Sequence, residues 1–188
     1  MRSEILSKAN ALWYVGALIC FFLPFFEFSC QGHEGERQKF AQSTGMQVVG
    51  DQFTVTDPGQ AEMWEKARGD SPVFSATARV LTILAFFVLA VGAMLLFLES
   101  SFAKTIACIA GFTAAFLLIS MALGETGPME TSYLTDEMPV ISLMYGWWLA
   151  TGLSLFGGVM TFRLRESGTG EMIARWIGAS VHPGPIRP

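Results

Sequence analysis

The sequence predicts an all-α membrane protein: a bundle of four transmembrane helices with a small extracytoplasmic loop domain. Three observations carry that expectation. Only 15% of the 188 residues are charged, against roughly 25% in an average soluble domain. Apolar residues make up 52% of the chain. They fall in four long runs, where a soluble core would spread them at a helix or strand period; a spanning helix packs about 20 in a row.

The runs are Leu12 to Phe28, Val80 to Leu98, Thr105 to Leu123 and Met138 to Phe162. Each is long enough to cross a hydrocarbon core of about 30 Å at about 1.5 Å per residue. The predicted organisation is an N-terminus and span one at 1–28, a loop domain at 29–75 and span two at 76–98. Span three follows at 103–124, a short external loop at 125–137, span four at 138–162 and a tail at 163–188.

Span one ends in a cluster of Phe21, Phe22, Phe25, Phe26 and Phe28 around Pro24. Proline removes a backbone donor, so a kink or an end is expected there. The phenylalanines read as lipid-facing bulk beside it. A cleaved secretory signal is the competing reading of this segment. Glu27 and Phe28 before Ser29-Cys30 are poor cleavage-site residues, which favours a retained span.

The loop domain is expected to hold a small antiparallel sheet. Phe26–Gln31 and Arg37–Gln42 can pair across Gly32-His33-Glu34-Gly35, and Met46–Val49 can pair with Gln52–Val55 across Gly50-Asp51, a dipeptide suited to a tight turn. A helical turn is expected at Ala61–Ala67. The tail, with Gly168, Gly170, Pro183, Pro185 and Pro188, reads as irregular except for a short helix over Glu171–Val181. Its Met172, Ile173, Trp176, Ile177 and Ser180 share one face, as a helix lying in the cytoplasmic interface, or packed on a partner or on the bundle's own end, would.

Orientation follows the positive charges. With both termini cytoplasmic, the inner segments hold Arg2, Lys8, Lys104, Arg163, Arg165, Arg175 and Arg187 against Glu4, Glu99, Glu166 and Glu171. The short loop 125–137 has four acids and no Lys or Arg, which reads as external. A modestly basic inner surface suits anionic lipid and not nucleic acid.

Small residues at four-residue spacing mark helix faces that can approach closely in lipid. Span three carries Ala103, Ala107, Gly111 and Ala115; span four carries Gly146, Ala150, Ser154 and Gly158. These two spans are expected to pack on each other. Glu27 and Arg79, at the outer ends of spans one and two, are the candidate ion pair. Trp13-Tyr14 and Tyr145-Trp147-Trp148 read as interface anchors.

The residues offer little chemistry. The two histidines, His33 and His182, lie outside the spans, so a cofactor in the bundle would lack histidine ligands. The three cysteines form no CxxC pair, and no GxSxG, HExxH or phosphate-loop pattern occurs. No catalytic, cofactor-binding or metal site is expected, and no cofactor. Spans nearly free of charge disfavour an ion or proton path. The first expectation is a non-catalytic subunit or scaffold of a larger membrane assembly, with the lipid bilayer and other membrane subunits or a second copy as partners. The alternatives are a small oligomeric transporter, channel or lipid-handling protein, and, last, an enzyme built on His33, Glu34, Glu36 and Asp51.

The stretch Leu23-Pro24-Phe25-Phe26-Glu27-Phe28-Ser29-Cys30-Gln31-Gly32, followed by Ser43-Thr44-Gly45 and Gly50, resembles a type of small bacterial four-span membrane protein. Those proteins carry a Leu-Pro…Ser-Cys-x-Gly segment after span one. The resemblance implies a bacterial inner membrane and no particular activity.

Overall fold

A computed structural model describes residues 2–31, 37–59, 62, 65–66, 72–98, 100–128 and 138–180. The chain is mostly helical, with one small antiparallel sheet. Four long helices dominate: α1 (Arg2–Cys20), α3 (Ala76–Leu95), α4 (Ser101–Glu125) and α5 (Tyr145–Ser180). A one-turn helix, α2 (Gly45–Val49), lies between the first two. The strands are β1 (Pro24–Gln31), β2 (Arg37–Thr44), β3 (Thr54–Val55), β4 (Gly127–Pro128) and β5 (Met138–Leu143).

Each long helix packs against two others: α1 on α3 and α5, and α4 on α3 and α5. Among the described residues, α3 and α4 are long and apolar enough to cross a membrane, whereas the apolar part of α1, Ala9–Cys20, is shorter. The two qualifying helices coincide with the uncharged second and third runs. The outer runs are each divided between helix and strand: the apolar part of α1 is short, and α5, though long, begins only after the strand Met138–Leu143.

Span one is expected to continue to Phe28, but α1 stops at Cys20. Three tight backbone bonds follow, from Phe21, Phe22 and Leu23 to the carbonyls of Leu18, Ile19 and Cys20. Pro24 then lacks a donor and holds the preceding residue extended, and β1 begins. Span four is divided in the same way. Met138–Leu143 is a strand and the helix starts only at Tyr145. Pro139 and the β-branched Val140 and Ile141 favour the extended form.

The sheet order is β3-β2-β1-β5-β4. The expected pairing of β1 with β2 is present, with Glu27 opposite Gln42 and Phe28 opposite Ala41. On its other side β1 pairs with β5, placing Phe26 opposite Leu143 and Phe28 opposite Ile141. The short second loop thus supplies two strands to the sheet of the first. This sheet stands at the end of the molecule where α1 and α4 finish and α3 and α5 start. The start of α1, the α3–α4 turn and the end of α5 lie at the opposite end.

The hairpin expected across Gly50-Asp51 does not form. Thr44 caps a helical turn instead: its Oγ1 accepts from the Gln47 amide (3.2 Å), and the Gln47 side chain accepts from the Thr44 amide (3.0 Å). Such a reciprocal pair satisfies two otherwise orphaned donors. Only Thr54–Val55 joins the sheet, on Ala41 and Gln42. Asp51 adopts a left-handed φ of 55°, and its Oδ1 accepts from the Phe74 amide at 2.9 Å. That bond ties the loop to the approach to α3.

The phenylalanines of the first run are core residues, not lipid-facing bulk. Phe21, Phe25, Phe26 and Phe28 are buried, and of the five only Phe22 is exposed. Phe26 and Phe28 pack on Phe74, tilted and edge-on, with ring centroids 5.4 and 5.8 Å away. Phe21 meets Phe25 and Phe86 at 5.2 and 5.4 Å. This aromatic layer joins the sheet to the helix ends.

The tail also differs from its expectation. Gly168 and Gly170 lie inside α5, which continues unbroken to Ser180. The turn expected at Ala61–Ala67 falls mostly outside the described residues, as do His33, Glu34, Glu36 and His182.

Candidate functional site

The most constrained site lies where the four long helices meet, around Tyr14. The sequence suggests an interface anchor at this position, yet the ring is fully buried. Its hydroxyl donates to the Ala107 carbonyl at 2.6 Å. Three glycines from three other helices make room for it. A Cβ on Gly92 of α3 would lie 2.9 Å from the ring, one on Gly157 of α5 2.8 Å from it, and one on Gly111 of α4 2.7 Å from the Tyr14 oxygen. Any side chain at these positions would displace the ring, so the glycines are steric requirements of the slot.

Gly111 also faces α5: its Cβ would stand 2.8 Å from the Ser154 carbonyl oxygen and 2.9 Å from the Gly158 Cα. The two small-residue faces therefore meet through Gly111, Ser154 and Gly158. Ala103, Ala107, Ala115 and Ala150 are buried. Gly146 contacts a different element. Its Cβ would clash with the Pro24 carbonyl and Leu23, so it serves the junction of α1 with β1.

Higher along this interface, the Trp147 indole N–H donates to the Leu118 carbonyl at 3.0 Å. Trp147 is buried while its neighbour Trp148 is exposed, so only one of this pair is placed to anchor at an interface. Toward the opposite end, the Asn10 amide donates to Thr161 Oγ1, joining α1 to α5. Thr161 in turn donates to the Gly157 carbonyl at 2.7 Å.

Two further buried hydroxyls bond back to their own helices. Thr82 donates to Ala78 at 2.7 Å and Ser154 to Ala150 at 2.6 Å. Asn10 Oδ1, Ser29 Oγ and Thr151 Oγ1 are buried without a hydrogen-bond partner among the described residues. They lie on three different elements, α1, β1 and α5.

Glu27 pairs with Lys39 of β2 and not with Arg79. Lys39 is 64% exposed at its side chain, against 15% for Glu27. Such a pair contributes at most about 1 kcal/mol after solvent screening. Register explains the choice: Lys39 stands opposite Ser29, one position along the same sheet face from Glu27. Sequence spacing alone gives no access to that diagonal, which depends on the bulge between Phe28 and Ser29.

Among the described residues no group of three or more His, Cys, Asp or Glu side chains could hold a metal ion. Cys20 and Cys108 are both buried. On the outside, α3 and α4 leave an open apolar groove of about 330 Å³, lined by Phe87, Val91, Ile106 and Ile109 among others. No protein-family model matches this chain, and no curated protein matches it.

Proposed function

We propose that this chain is a four-span inner-membrane protein with both termini cytoplasmic, acting without catalysis as a subunit or scaffold of a larger membrane assembly. The observation that carries the reading is how apolar and polar groups are distributed. Large apolar side chains stand exposed on every long helix: Leu12 and Ile19 on α1, Phe87 and Met94 on α3, Phe102 and Leu123 on α4, Trp148 and Phe156 on α5. A surface so apolar needs lipid or protein against it. Inside, the space is filled by small residues, by Leu89, Leu118 and Met121, and by Tyr14, whose hydroxyl is held by a backbone carbonyl.

A filled interior supports a structural role over conduction. A pore would need a continuous file of polar groups free to contact an ion. The 36 residues of α5 span about 54 Å at about 1.5 Å each, well beyond an apolar layer of about 30 Å. The excess length gives a helical arm for contacts outside the membrane. The bacterial inner-membrane setting rests on the resemblance of the segment 23–50 and on the basic inner residues.

The test is to extract a C-terminally tagged chain from its own membranes in mild detergent and to identify copurifying proteins by mass spectrometry. One or two polypeptides in constant ratio are expected. A clean monomer or homo-oligomer would overturn the subunit reading.

A further inference from the structure

We draw no further inference here: the strongest candidate, the open apolar groove between α3 and α4 lined by Phe87, Val91, Ile106 and Ile109, is an unpartnered face, and nothing in the structure shows what covers it.

Discussion

Glycine illustrates how much a single residue's meaning depends on its surroundings. Gly111 and Gly152 both sit in long helices, where alanine is intrinsically better by up to about 1 kcal/mol. A methyl group added at Gly152 would have nothing within 4 Å of it, whereas at Gly111 the methyl would press on Tyr14 and on the backbone of Ser154 and Gly158. Backbone cannot swing aside as a flexible side chain can. Gly111→Ala is therefore expected to destabilise by roughly 1–3 kcal/mol, the usual cost of overpacking. Gly152→Ala should be neutral or slightly stabilising. Thermal unfolding of the two variants in one detergent measures the contrast; equal midpoints would remove the slot's steric role. The four-residue spacing makes Gly111 and Gly158 legible in the sequence as packing residues. Tyr14 is not legible, because its burial depends on Gly92, Gly111 and Gly157 meeting from three other helices. An aromatic near a span's end carries no local mark of that meeting.

At the scale of elements, sequence and structure agree where one physical signal acts alone. The second and third runs are long and uncharged, so length and apolarity settle α3 and α4. Continuous apolar runs are ambiguous between a buried strand and a buried helix, and that ambiguity hides β5 and the end of α1. Pro24 marks the first transition, and Pro139 lies within the strand that replaces the start of the fourth run. The pairing of β1 with β2 is visible because two β-prone segments flank a short glycine-containing stretch of sequence. The expected second hairpin fails because Thr44 and Gln47 stand at capping-box spacing, a helix-start signal that outweighs the strand propensity of Val48 and Val49. Substituting Thr44 by Ala removes the cap acceptor and should cost about 1 kcal/mol, with Thr44→Ser close to wild type. Denaturation midpoints of the two variants decide this. Equal losses in both would mean that Thr44 acts through packing and not through its oxygen.

For the whole molecule, the sheet fixes which ends belong together. Both connecting loops contribute strands to it, so they must lie on one side of any membrane the chain crosses. On the proposed crossing of α3 and α4, the turn between them lies on the other. In a background with Cys30 replaced by Ser, a cysteine at Val55 should react with an impermeant maleimide added to right-side-out vesicles. A cysteine at Phe97 should react only after permeabilisation. Both positions are exposed, while the native Cys20 and Cys108 are buried. Labelling of both from the same side would contradict the proposed crossing of α3. The placement of β5 in the sheet cannot be foreseen from local pattern, because its partner in β1 is more than a hundred residues away in sequence.

That long-range pairing sets an order of events during synthesis. β1 leaves the ribosome early, yet one of its two neighbours in the sheet, β5, is made only after α4 is complete. Until then one edge of β1 is unsatisfied, and an exposed strand edge invites wrong partners. Pairings that join distant segments also form slowly, since the intervening chain must first be ordered. The sheet is thus complete only when the second loop has reached the same end of the molecule. A chain ending at Glu125 should leave the first loop open to added protease, while the full chain resists; equal resistance would mean that β1 matures without its last partner.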